Sequence, residues 1–162
     1  CGVELPVARG IDAEEEAVKD CDNYGDRSDI TIVLAEDSQV IAAKACDVLA
    51  AAGFTNVKHF ADGQGAWEYL VSHLSAEGAS SAKPVRCIVS DIEMPRMDGL
   101  HLTKNVREHA EMRETPVILF SSSASSDNEK KGRQVGATAQ VAKPHFDELV
   151  RAVAQATASV VA

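Results

Sequence analysis

The chain has 162 residues, 45% of them hydrophobic, 25% charged and 4% aromatic, which fits one globular domain with a real core and excludes collagen-like, coiled-coil and disulfide-scaffold classes. Sixteen Lys and Arg against 25 Asp and Glu leave a net charge of −9, which opposes non-specific attraction to nucleic acid or an anionic membrane surface. No apolar run approaches the roughly 20 residues of a membrane helix, and no basic start with an apolar core marks a signal peptide, so a cytoplasmic location without membrane insertion is expected.

Residues 1–29 hold nine acids and three bases. They lack periodicity, contain the turn-like run Asp22 to Asp26, and are expected to form an acidic linker or tail. The first residue is Cys1 rather than Met, which suits a fragment of a longer protein with a preceding domain, or numbering that simply starts there. Cys1, Cys21, Cys46 and Cys87 show neither C-x-x-C spacing nor an accompanying histidine cluster, so no zinc site or redox pair is expected. Cys46 and Cys87 are expected to be small buried thiols.

From Ile30 onward strand-like and helix-like segments alternate. Ile30 to Ala35 is a near-continuous apolar run, as in a strand buried on both faces of a parallel sheet. Ile41, Ala45, Val48, Leu49 and Ala52 mark one face of a helix that Gly53 ends. Asn56 to Phe60 predicts a second strand, Gly65 to about Leu74 a second helix, and Ser75 to Lys83 a surface loop. Arg86 to Asp91 predicts a third strand, followed by a helix from Asp98-Gly99 to about Glu111. Pro116 to Ser121 predicts a fourth strand, Asp127 to Val135 a polar helix closed by Gly136, and Thr138 to Ala142 a fifth strand. Phe146, Leu149, Val150 and Val153 mark the last helix. Five β-α units in succession imply a doubly wound α/β fold, a parallel sheet with helices on both faces, because parallel strands need right-handed crossovers.

In such sheets functional groups gather beyond the carboxyl ends of the strands. Those ends carry Glu36 and Asp37 after the first strand, Asp91 after the third, Ser121 at the end of the fourth and Lys143 after the fifth. Three neighbouring carboxylates repel one another unless a cation neutralises them, and hard oxygen ligands favour Mg²⁺ or Mn²⁺. With the metal in place Asp91 could attack a phosphoryl group, while Lys143 balances charge on its oxygens and the Ser121 hydroxyl donates to it.

The segments Leu34-Ala35-Glu36-Asp37-Ser38, Val89-Ser90-Asp91-Ile92-Glu93-Met94-Pro95-Arg96-Met97-Asp98-Gly99 and Ala142-Lys143-Pro144 resemble the signatures of response-regulator receiver domains, a likeness that spans about Ile30 to Ala156 and implies a receiver over 30–160. The resemblance implies a CheY-like, flavodoxin-like sheet of strand order 2-1-3-4-5. It also implies that Asp91 accepts phosphate from a histidine kinase, and that Glu36, Asp37, Asp91 and the Glu93 backbone carbonyl hold the metal. Ser121 and Lys143 become the switch hydroxyl and the phosphate-sensing lysine, and Lys143-Pro144 a cis peptide. Asp62 to Trp67, the block from Asp91 to Arg107 and Phe120 to Ser123 look most like the receiver of CheV-type chemotaxis coupling proteins. That implies a CheA-like kinase as phosphodonor and a coupling complex reached through a domain preceding this chain.

Gln140, three residues before Lys143, stands where many receivers place a switch aromatic. Glu93 and Ser123 lie two residues beyond Asp91 and Ser121, where side chains bear on phosphoryl lifetime. Met94 and Met97 are expected to pack the loop, since thioethers do not suit a hard cation, and His101, His109 and His145 are assigned no role. Asp91-Ile92-Glu93 also mimics a haloacid-dehalogenase-type phosphohydrolase, but Met94-Pro95 follows directly and no cap domain fits in the length. An interaction module that never takes phosphate is the other alternative, against which all five strand-end residues are present. No basic helix-turn-helix segment supports a DNA-binding regulator.

Overall fold

Five strands alternate with five helices in the computed structural model, which describes residues 29–75, 84–122 and 126–161. The expectations for the acidic segment before residue 29, for the loop over 76–83 and for Ser123 lie outside these residues. The strands are β1 (Thr31–Ala35), β2 (Val57–Phe60), β3 (Val85–Ser90), β4 (Val117–Ser121) and β5 (Ala139–Ala142). The helices are α1 (Gln39–Ala51), α2 (Gly63–Ser75), α3 (Gly99–Glu108), α4 (Ser126–Val135) and α5 (Phe146–Val161). All strand pairs are parallel and their order is β2-β1-β3-β4-β5. Every residue of β1 and β4 is buried, which is why the two read as unbroken apolar runs.

The sheet divides the core in two. On one face Ile32, Leu34, Val89, Ile118 and Phe120 pack against Ala45 and Leu49 of α1 and Leu149 and Val153 of α5. On the other, Val33, Ile88, Val117 and Leu119 pack against Leu70 of α2 and Leu102 and Val106 of α3. Full burial of each such aliphatic side chain contributes about 1.5–3 kcal/mol. Among the described residues no helix is long and apolar enough to cross a membrane.

Local signals set the helix ends. Ser38 caps α1, its hydroxyl accepting the Ile41 N–H at 3.3 Å, and Gly53 leaves the helix with φ 100°, a conformation that costs glycine nothing. Asp98 caps α3 by accepting the His101 N–H at 2.7 Å. That helix stops at Glu108 rather than near Glu111, because His109 is extended and its Nδ1 takes the Glu111 N–H. Arg107 stabilises the turn that follows, donating to the carbonyls of Arg113, Thr115 and Gly136. Cys87 is fully buried with its thiol pushed up to about 12 by burial. Cys46 is only partly buried, contrary to expectation, because its position on α1 lies on the shoulder between the buried Ala42–Ala45–Leu49 face and solvent.

Candidate functional site

Strand register brings the chemistry together. Ala35 pairs with Ser90 and Ser121 with Ala142, so the residues that follow leave the sheet at one edge. Two backbone bonds extend the ladders past the strand ends, from Asp91 N–H to the Ala35 carbonyl at 2.8 Å and from Lys143 N–H to the Ser121 carbonyl at 3.0 Å. Glu36 and Asp91 thereby become neighbours across β1 and β3, and Lys143 enters from the β4–β5 side.

The Lys143 Nζ lies 2.7 Å from Glu36 Oε1 and 3.3 Å from Asp91 Oδ2. Asp37 completes a group with Glu36 and Asp91 whose ligating oxygens all lie within 4.8 Å of one another. Glu36 and Asp91 are buried and Asp37 is exposed, so the trio opens to solvent on the Asp37 side. Burial pushes the Glu36 and Asp91 carboxyls above the usual carboxylate range, while Lys143 pulls both back down. Glu36 Oε2 accepts the Ser38 N–H at 3.1 Å and Asp91 Oδ1 the Ile92 N–H at 2.7 Å. Two desolvated acids share one ammonium beside a third, exposed acid, which is the donor set a hard divalent cation would complete.

Ser121 ends β4 and is buried, whereas Ser122 after it is exposed. With Gln140, Ile92 and Glu129 it lines a cavity of about 40 Å³. Gln140 does not swing into the core: its amide donates to the Glu129 carbonyl of α4 at 2.8 Å and lies over Gly132, where a Cβ would strike it. The Lys143-Pro144 peptide is cis. The Glu93 side chain is exposed, Met97 is buried and Met94 partly so. His101 and His145 are exposed and His109 caps α3.

His59, to which no expectation attached, places Nε2 2.8 Å from the Glu36 carbonyl. No spacing signals a contact between a ring and a main-chain oxygen on the neighbouring strand. Gly99, by contrast, carries a visible signal in the Asp98-Gly99 pair. Its N–H bonds the Ile92 carbonyl at 2.8 Å, and a Cβ there would collide with the Asp91 carbonyl. Gly99→Ala is expected to cost about 1–3 kcal/mol as an overpacked backbone contact, measured as a lowered denaturant midpoint.

The sequence model of the response regulator receiver domain matches residues 32–154. The chain belongs to that family. The receiver is 27% identical over 124 residues to response regulator Rre1 of Synechocystis, covering 76% of this chain and 49% of the relative. It is 26% identical over 129 residues to chemotaxis protein CheV3 of Helicobacter pylori, covering 80% of this chain and 41% of CheV3. The receiver thus spans about half the length of these two relatives. Chemotaxis protein CheY4 of Vibrio cholerae superposes with a TM-score of 0.62 at 28% identity, over 78% of this chain and 96% of that one. Receiver domains bind Mg²⁺ at an acidic pocket and take phosphate from a kinase, and this receiver carries the acidic cluster.

Proposed function

We propose that the chain is the phosphoacceptor module of a two-component signalling protein. In this reading residues 30–160 form the receiver, residues 1–29 serve as an acidic linker, and Asp91 takes phosphate from a histidine kinase. The observation that carries it is the single ammonium of Lys143 set between Glu36 at 2.7 Å and Asp91 at 3.3 Å beside Asp37. Glu36, Asp37, Asp91 and the Glu93 carbonyl would hold Mg²⁺, which would offset charge on the oxygens of a transferring phosphoryl group.

Asp91 Oδ2 faces the Lys143 ammonium, and Oδ1 is engaged by the Ile92 N–H. The Asp91 carboxylate forms the new P–O bond as the donor's bond to phosphorus breaks and the leaving group departs with the electron pair. Lys143 is placed to hold charge on the transferred group, and the Ser121 hydroxyl to donate to it. Hydrolysis of the acyl phosphate resets the module, which then acts as a switch or phosphate sink. The likeness to CheV3 supports a chemotaxis setting in the cytoplasm, with a CheA-like kinase as donor and a coupling domain in the rest of the protein.

The metal assignment is tested by melting. Mg²⁺ at millimolar concentration is expected to raise the melting temperature of the wild type, since a ligand at 100 times its Kd adds about 2.7 kcal/mol, and Asp37→Ala is expected to remove most of that rise. Equal shifts in both proteins would exclude the acid trio as the metal site.

A further inference from the structure

Arg96 is the only residue other than glycine with a positive φ among the described residues, at 66°, in the left-handed region that a Cβ disfavours. Its guanidinium makes a two-point contact with Asp62, Nε to Oδ2 at 2.9 Å and Nη2 to Oδ1 at 3.1 Å. Asp62 Oδ1 also accepts the Gly65 N–H at 2.8 Å at the start of α2, and the Arg96 contact holds the Asp62 carboxyl below the usual carboxylate range. The next residue repeats the connection: Gly63 N–H donates to the Met97 carbonyl at 3.1 Å, and a Cβ at Gly63 would collide with that oxygen. Two successive residues at the start of α2, Asp62 just before it and Gly63 as its first residue, thus grip two successive residues of the loop between β3 and α3.

The gripped loop is already folded on itself. Met97 N–H reaches the Pro95 carbonyl at 2.7 Å and Gly99 N–H the Ile92 carbonyl at 2.8 Å. Glu93 is the second residue of this closed segment, next to Ile92. The Arg96 side chain is 61% exposed, so its ion pair adds little to global stability, and its effect is confined to the shape of the loop.

We propose that Asp62 and Arg96 are positioning residues for the edge of the acidic site, a clamp from α2 that holds residues 92–98 so that the Glu93 carbonyl is presented as a metal ligand. The inference rests on the metal site proposed above and adds to it the element that sets cation affinity from outside. Neither side chain touches the cation or the phosphoryl group. Lysine cannot replace Arg96 fully, because an ammonium lacks the two-pronged fork that matches a carboxylate.

The test is calorimetric titration of the full chain with Mg²⁺, paired with amide hydrogen exchange in metal-free buffer, on wild type, Asp62→Asn, Arg96→Gly, Arg96→Lys and the Asp62→Asn/Arg96→Gly double variant. Asp62→Asn keeps an oxygen for the Gly65 cap, and Arg96→Gly relieves the left-handed backbone, so both variants are expected to fold. Arg96→Gly is expected to weaken Mg²⁺ about ten-fold, the low end for removing a group behind a metal ligand, and to speed exchange at Met97 and Gly99 but not in β4. The double variant should bind no more weakly than the worse single one, and Arg96→Lys should fall between. Wild-type affinity in Arg96→Gly, or additive losses in the double variant, would overturn the clamp and leave the metal site standing. A wild type that binds no Mg²⁺ would overturn the metal site and the clamp with it.

Discussion

Asp91→Asn is expected to abolish phosphate uptake while leaving the fold intact. Asparagine keeps the shape of the side chain and an oxygen for the Ile92 N–H, which now reaches Asp91 Oδ1 at 2.7 Å, but it has no nucleophilic carboxylate. Burial holds the Asp91 carboxyl above its usual range, so a neutral amide removes a charge that the fold has to desolvate. The melting temperature in metal-free buffer should therefore equal or exceed that of the wild type. Intact mass after incubation with acetyl phosphate provides the readout. Wild type should gain a single phosphate only with Mg²⁺, and the variant none; label retained on Asp91→Asn would name another acceptor.

Lys143→Met should have the largest effect on stability. The lysine side chain is 11% exposed and its two partners, Glu36 and Asp91, are 2% and 9% exposed, so its removal strands two carboxylates with little access to water. Breaking a buried pair in this one-sided way costs about 3–5 kcal/mol, and the low end is expected because Asp37 opens the site to solvent. The sign of the pH dependence follows from the raised Glu36 and Asp91 carboxyls. An acid whose folded pKa exceeds its unfolded value favours folding when protonated, and that stability is lost as pH rises through the folded pKa. Without Lys143 both carboxyls rise further. The gap between variant and wild type should thus be widest at neutral pH and shrink as pH falls toward the unfolded carboxylate value near 4. Urea denaturation in chelator at pH 7 and pH 5 measures it; a gap independent of pH would mean that Lys143 acts through packing alone, its Nζ being 5.8 Å from the Phe120 ring centroid.

The strands and the positions of Glu36, Asp37, Asp91, Ser121 and Lys143 were legible because a parallel sheet buried on both faces writes its strands as apolar runs, and polar residues then stand out where the runs stop. The ends of α1 and α3 were legible in part, through Gly53 and Asp98, whereas the Ser38 cap was not singled out. What joins one loop to another was not. Arg107 binds three backbone carbonyls besides the Thr138 hydroxyl, and carbonyls leave no trace in residue type. The Asp62–Arg96 pair spans 34 positions, beyond any local spacing. Gly132 reads as an unfavourable residue within a helix, and its reason becomes visible only when the Gln140 amide is found lying over it.

The helix bearing that glycine is attached differently from the other four. Among the described residues α4 adds no side chain to either apolar layer, and Gly132 is its one buried position. It is moored by the Gln140 amide at Glu129 and, just past its end, by Arg107 at Gly136. The first of these bonds is exposed and the second half-buried, and a typical intramolecular hydrogen bond contributes about 0.5–1.5 kcal/mol, so little besides these two contacts has to be given up for the helix to open. The helix beside the Ser121 cavity is therefore the one of the five expected to open first, its amides exchanging with solvent while both cores stay shut.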